Sequence, residues 1–270
     1  MTRIKTNYTN CFHTSYLFFV LRTSNFVLVI FTSNFVAMNI VITGASKGIG
    51  KAVAEKFAAD NNTLFICARN AATLQNTADE LLAKYPGCTV KTMVIDVSIK
   101  DEVIAFGNWV LETANSIDIL VNNAGSFLPG TIHTEADGVI ENMIETNLYS
   151  AYYLTRCLLP AMMSAKSGHI FNMCSIASLQ AYPSGGSYGI SKFALAGFSK
   201  NLREELKQYN IKVTALYSGA VYTDSWSGSG VTPERIMEPG DIAELIYATS
   251  RLSPQACVEE IILRPQLGDL

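Results

Sequence analysis

The 270-residue chain has no C-x-x-C pair. Its six cysteines (Cys11, Cys67, Cys88, Cys157, Cys174, Cys257) stand far apart, and its three histidines (His13, His133, His169) make no ligand spacing. That spacing excludes a structural zinc, so no metal site is expected. Reduced, buried thiols are expected instead, as in a cytoplasmic protein. Basic clusters are missing too. The chain holds 20 basic and 23 acidic side chains; three of the basic ones (Arg3, Lys5, Arg22) lie in residues 1–37, which have no acid. The remainder therefore carries 17 basic against 23 acidic groups, a net −6. An acidic body without a basic patch excludes nucleic acid as the main partner.

Long apolar runs are absent as well. Residues 1–37 contain two six-residue runs, Tyr16–Leu21 and Phe26–Phe31, split by "RTSN". A spanning helix needs about 20 apolar residues, and an arginine near its centre costs roughly 2.5–3.5 kcal/mol. A secretory signal needs one apolar core and a small-residue cleavage site. The segment matches neither template, so a membrane role is disfavoured. It repeats "TSNFV" at 23–27 and 32–36, and Met38 then stands directly before "NIVITG". The expectation is an N-terminal extension over 1–37, non-functional or disordered, with a weak membrane anchor and a packed arm as lesser alternatives. The functional domain is expected over 38–270.

From Met38 on, short β-branched runs alternate with helical patterns. Strands are expected at Asn39–Thr43, Thr63–Ala68, Val90–Ile95, Asp118–Val121, His169–Cys174, Ile211–Tyr217 and near Glu259–Leu263. Helices are expected over Gly48–Asp60, Ala71–Lys84, Ser98–Ser116, Asp137–Ser164, Ser187–Gln208 and Asp241–Arg251. Ser98 with Asp101 resembles a capping box. Runs such as "IDILV" suit strands buried on both faces. Strict alternation without a linker gives an α/β fold: a Rossmann-type doubly wound parallel sheet, flanked by helices on both faces, in a single domain.

In "IVITGASKGIG", Gly44, Gly48 and Gly50 occupy the first strand-to-helix turn. Glycines there let the backbone approach a pyrophosphate at a helix N-terminus. The position after the first strand and before the first helix is the context this motif requires. Dinucleotide folds place Asp or Glu at the end of the second strand; here it reads Cys67-Ala68-Arg69. Arg69 can fork onto a 2′-phosphate, and Lys47 adds a second cation. Both also suit plain surface charges, but the missing carboxylate tips the reading to NADP(H).

Among twelve tyrosines, only Tyr188 has a lysine four residues on, in "YGISK". Positions i and i+4 share a helix face. An ammonium at about 4 Å and an effective dielectric of 20 would favour the phenolate by roughly 4 kcal/mol, enough to lower its pKa by up to about three units. Such a phenol can exchange a proton with a carbonyl or alcohol; alone, the pair also reads as an ordinary surface contact. It has company. Ser175 closes the strand "GHIFNMCS" thirteen residues earlier, at the sheet edge where ligands bind. Ser178 is a competitor with a spacing of ten, and Ser175 is preferred.

With "TGASKGIG", Asp96-Val97, "NNAG" at Asn122–Gly125, "ETNLYSAYYL" around Asn147, Ser175 and "YGISK" in this order, the chain from Met38 resembles the short-chain dehydrogenase/reductase family. The resemblance implies Tyr188 as general acid/base and Ser175 as the hydrogen-bonding partner of the substrate carbonyl. Lys192 would lower the tyrosine pKa and bind the nicotinamide ribose, and Asn147 would position a water that relays protons to Lys192. Cofactor contacts are implied for the loop Gly44, Ser46, Lys47, Gly48, Ile49 and Gly50, and for Arg69. Asp96 and Val97 are implied at the adenine, Asn123 on the adenosine side with Ala124 and Gly125 following, and Val221 and Thr223 at the carboxamide.

One departure stands out: "SGAVYT" places Ser218 where the family commonly has proline, which frees a dihedral and suggests a looser loop. The segment 224–238, with Trp226, Gly228 and Gly230, reads as a mobile lid over a small substrate. The expected function is NADPH-dependent reduction of a small or medium carbonyl compound to an alcohol. The alternatives are reduction of 3-oxoacyl groups on acyl carrier protein and, from another class, a non-catalytic NADPH-binding redox sensor. A homodimer or homotetramer through the two long helices is implied by the resemblance.

Overall fold

The computed structural model describes residues 14–23, 26–35, 37–226 and 228–270. Strands β1 (Thr14–Thr23) and β2 (Phe26–Phe35) pair antiparallel, Thr14 opposite Phe35 and Thr23 opposite Phe26, in a sheet of their own. The remaining strands form one parallel sheet. They are β3 (Asn39–Thr43), β4 (Thr63–Ala68), β5 (Thr89–Val94), β6 (Ile119–Asn122), β7 (Gly168–Ser175), β8 (Ile211–Ser218) and β9 (Glu260–Leu263), in the order β5-β4-β3-β6-β7-β8-β9. The helices between them are α1 (Gly48–Ala58), α2 (Ala71–Lys84), α3 (Lys100–Thr113), α4 (Val139–Ile144), α5 (Ser150–Ala165), α6 (Gly186–Leu206) and α7 (Pro239–Ser250).

Two cores explain the apolar strands. Successive side chains of a strand point to opposite faces. On one face Ile40, Ile42, Leu64, Ile66, Val121 and Phe171 meet Val53 and Phe57 of α1 and Ile242 and Ile246 of α7. On the other, Val41, Phe65, Leu120, Ile170 and Val213 meet Val103, Phe106, Leu154, Leu158, Met162 and Leu202 of α3, α5 and α6. Each such side chain contributes about 1.5–3 kcal/mol when fully buried, so a strand alternating polar and apolar residues would lose half of this. Gly107 of α3 lets α5 come close: a Cβ there would lie 2.7 Å from Cys157 Sγ.

Some local expectations need correction. Ser98 does not cap a helix: its N–H and hydroxyl both donate to Asp96 Oδ1, and α3 starts at Lys100 after Ile99. An Asx turn competes with capping for the same short side chain. The long helix anticipated over 137–164 is α4 and α5 joined by a π-helical stretch, Glu145–Tyr149. This extra residue in the helical repeat is a common device at functional sites. It buries Asn147, which is 1% exposed. Elsewhere, element ends coincide, as for Asn39–Thr43, Thr63–Ala68 and Ala71–Lys84, or move by up to three residues, as fraying and hydrogen-bond criteria allow.

Of the six cysteines, Cys67, Cys88 and Cys174 are buried free thiols, Cys157 and Cys257 are half-buried free thiols, and Cys11 lies outside the described residues. No group of His, Cys, Asp and Glu among the described residues could hold a metal ion. None of the described helices is long and apolar enough to cross a membrane.

Candidate active site

Strand order reverses between β3 and β6, whose carboxyl ends lie side by side. A crevice at that point is where open α/β sheets hold ligands. Thr43 closes β3, and its hydroxyl accepts from the N–H groups of Asn123 and Ala124 at 3.0 and 2.9 Å. Asn123 donates through its side-chain nitrogen to the carbonyls of Thr43 and Gly44 (2.9 and 3.1 Å). The residue expected at the adenosine is thus also the tie between the two loops.

The glycines have separate reasons. Gly44 and Gly48 take positive φ (65° and 56°), open to glycine at no steric cost. A Cβ on Gly50 would collide with Gly44 O and lie 2.5 Å from Asn123 Nδ2. The N-terminus of α1 has neither a side-chain cap nor an acid in its first turn, whereas α2 is capped by Asn70 and α7 by a Glu238–Asp241 box. Free N–H groups and a positive helix end suit an anion, so the loop fits a dinucleotide pyrophosphate. Ser46 offers its carbonyl to Thr77 Oγ1, and Ile49 packs on the core below.

The two cations face solvent. Lys47 Nζ reaches Asp224 Oδ2 at 2.8 Å, joining the glycine loop to the segment after β8. Arg69 Nη1 lies 3.9 Å from Asp96 Oδ2. Asp96 N–H donates to Glu102 (2.7 Å), and Val97 is buried. Cys67, at the end of β4, is sealed in the core, and burial pushes its thiol up to about 12, so it is an inert hydrophobe there.

Ser175, Tyr188 and Lys192 come together at the carboxyl end of β7. Ser175 Oγ accepts from Ala177 N at 3.1 Å, and the Ser175 side chain acts to lower the Tyr188 pKa. Ser178 turns its hydroxyl to Ser175 N at 3.2 Å, so it supports Ser175 rather than replacing it. Lys192 is buried, its Nζ 5.9 Å from the Tyr188 ring centre, and it donates to Met173 O at 2.7 Å. Asn147 accepts from Ser126 N (2.7 Å) and donates to Ser126 O and Ser191 Oγ (3.0 and 2.9 Å). It locks the π segment to both the β6 loop and α6. A Cβ on Gly125 would lie 3.1 Å from Asn147 Oδ1 and 3.5 Å from Lys192 Nζ, so bare backbone separates the two.

The electrostatics differ from expectation. Tyr188 is not lowered: burial, the largest influence, pushes the phenol up to about 12 against the hydrogen bond from Ser175. Lys192 falls to about 8, again through burial. A neighbouring ammonium favours the phenolate, but desolvation of the phenol outweighs it here.

At the end of β8, Ser218 pairs with both Ser175 and Leu263. Gly219 N reaches Leu263 O (2.8 Å), Met237 N reaches Ala220 O (3.2 Å) and Tyr222 N reaches Met237 O (2.7 Å). The loop bearing buried Val221 and half-buried Thr223 is therefore pinned without the proline. Sequence reasoning missed Thr43, Ser126, Phe127, Glu135 and Ser191. Phe127 sets its ring edge-on to Tyr188, centroids 4.8 Å apart. No residue-type pattern marks these; only the fold brings them in.

The sequence and the fold have relatives among known proteins. A family model described as short chain dehydrogenase matches residues 38–232. The chain is 33% identical over 239 residues to the sepiapterin reductase of Chlorobaculum tepidum, covering 86% of this chain and 97% of that one. An alcohol dehydrogenase from the archaeon Thermococcus sibiricus, complexed with 5-hydroxy-NADP, superposes with a TM-score of 0.79 at 30% identity, over 86% of this chain and 97% of that one. The L-sorbose reductase of Gluconobacter frateurii, complexed with NADPH and L-sorbose, gives 0.77 at 28% identity, over 84% and 94%. From the glycine turn to the YGISK helix, the chain belongs to the short-chain dehydrogenase/reductase family.

Proposed function

We propose that this protein is an NADP(H)-dependent oxidoreductase that reduces a small or medium carbonyl compound to an alcohol, reversibly. The observation that carries the reading is the convergence of Ser175, Tyr188 and Lys192 at the end of β7, with Asn147 fastened against the same helix. The similar proteins are named for sepiapterin, alcohol and L-sorbose. Their shared chemistry supports carbonyl–alcohol exchange, and their diversity leaves the compound open.

In this reading the bound cofactor supplies a hydride. Ser175 holds the carbonyl oxygen, and Tyr188 gives it a proton. Burial raises the phenol, so it keeps its proton at neutral pH and has it to give. Lys192, near 8, is mostly charged at pH 7 and can return a proton to the phenol as it is used; Asn147 positions the water that feeds Lys192. The N-terminus of α1 with Gly44, Ser46, Gly48, Ile49 and Gly50 would hold the pyrophosphate. Arg69 and Lys47 would take the 2′-phosphate, Asp96 and Val97 the adenine, and Asn123 to Gly125 the adenosine side. Val221 and Thr223 would take the carboxamide.

Residues 38–270 would then be the working domain. Self-association is supported by apolar side chains left exposed on α5, α6 and the π segment: Tyr149, Tyr152, Ile190 and Phe193. The test is fluorescence titration with NADPH and NADH, followed by turnover on a carbonyl panel that includes a 3-oxoacyl thioester. Tighter NADPH binding that weakens about tenfold or more in Arg69→Ala, with turnover, supports the reading. NADPH binding without turnover would favour the sensor.

A further inference from the structure

The loop after β6 carries a carboxylate that the family pattern does not explain. Glu135 reaches across to the start of α6, the helix bearing Tyr188 and Lys192. Its Oε1 accepts from Ser187 N–H at 3.0 Å, and its Oε2 accepts from the Ser187 hydroxyl. These hydrogen bonds hold the Glu135 carboxyl below its usual range. Ser187 is buried and immediately precedes Tyr188. Its amide is one of the N–H groups that a helix start leaves without an intrahelical acceptor, and the negative charge favours the same helix end.

The surroundings are shaped to this contact. Gly186 takes φ +38°, and a Cβ there would collide with Glu135 Oε1 and lie 2.6 Å from Gly130 O. A Cβ on Gly130 would lie 2.8 Å from Glu135 Cγ and Oε1. Gly130 N donates to Ser184 O at 3.0 Å, and Glu135 N to Thr131 O at 3.0 Å, so the loop is tied both to the α6 entry and to itself. The same loop holds Phe127 against the Tyr188 ring, edge-on with an interplanar angle of 83°.

We infer that Glu135 is a positioning residue: through Ser187 it clamps the β6 loop to the first turn of α6, and so fixes Tyr188 between Ser175 and Phe127. This rests on Tyr188 as the acid/base of the proposed reaction. A small displacement of a reacting group lowers the rate without weakening cofactor binding. Glutamine at 135 can keep both contacts: its carbonyl accepts from Ser187 N–H, and its amide donates to the Ser187 oxygen once the hydroxyl turns. Alanine keeps neither.

The test compares Glu135→Ala and Glu135→Gln in the full chain by steady-state kinetics and by amide hydrogen exchange. Glu135→Ala is expected to lower kcat about 10- to 100-fold with KM for NADPH within about twofold. Glu135→Gln restores most of the rate. Exchange in Glu135→Ala accelerates over 184–190 and 126–137 and stays unchanged in α1. An unaltered kcat in Glu135→Ala would overturn the proposal. So would losses in kcat, NADPH affinity and melting temperature that move together and that glutamine does not relieve. If the wild-type protein reduces no carbonyl, the reading of Tyr188 fails on its own; the exchange result still decides whether the clamp exists.

Discussion

Lys192 should destabilise the fold it serves. Its side chain is buried, and burial lowers its pKa from 10.5 to about 8. At 1.36 kcal/mol per unit, holding the charge inside costs about 3 kcal/mol. The hydrogen bond to Met173 O offsets part of this, by about 1–2 kcal/mol. Lys192→Met keeps the length and removes the charge, so at pH 7.5 the cofactor-free variant should be more stable by about 1–2 kcal/mol. For a domain of this size that is about 3–6 °C in melting temperature. The sign has a pH signature. Below pH 8 both folded and unfolded chains carry the proton, and the penalty is complete. Between pH 8 and 10.5 the folded chain releases it first, so wild-type stability climbs relative to the variant. Turnover should fall by about 100-fold or more in the same variant, a trade of stability against function. Urea melts from pH 7 to 10.5 check this. A variant less stable than wild type at pH 7.5, with the same slope above pH 8, would refute the reasoning.

Asp224→Ala should free Lys47 from its 2.8 Å partner and tighten NADPH binding by up to about fivefold, the range of an exposed ion pair; titration at low and high salt would show the gain vanishing with salt. His169 is buried, its Nε2 bonded to Thr214 and its Nδ1 without a partner, and burial holds its pKa down at about 3. The unfolded chain therefore takes up a proton first as pH falls below 6.5, and stability drops by up to about 4–5 kcal/mol toward pH 3. His169→Phe should flatten that part of the acid melting curve. A protein beginning at Met38 should match the full chain in melting temperature and turnover, measured side by side.

The central strands were legible because they are buried on both faces, which leaves continuous apolar runs such as Ile40–Ile42 and Ile119–Val121. The YGISK spacing and the glycine turn were legible because each motif is local in sequence. The π segment was not: "ETNLYSAYYL" has ordinary helical composition, and only the need to bury Asn147 against Ser126 and Ser191 adds the extra residue. Glu135 and Phe127 were hidden for the same reason, since their partners Ser187 and Tyr188 lie over 50 residues away. The direction of the Tyr188 shift was misread because charge spacing shows in a sequence and desolvation does not. The hairpin of β1 and β2 was unforeseen: its two apolar runs fit strands as well as half-helices, and length alone cannot separate those.

The most direct test of the account is NADPH oxidation over the carbonyl panel by the wild-type protein and by Tyr188→Phe, with NADPH affinity measured for both. The account predicts wild-type turnover, a loss of about 100-fold or more in the variant, and unchanged NADPH binding. A Tyr188→Phe protein that reduces carbonyls at the wild-type rate would contradict it.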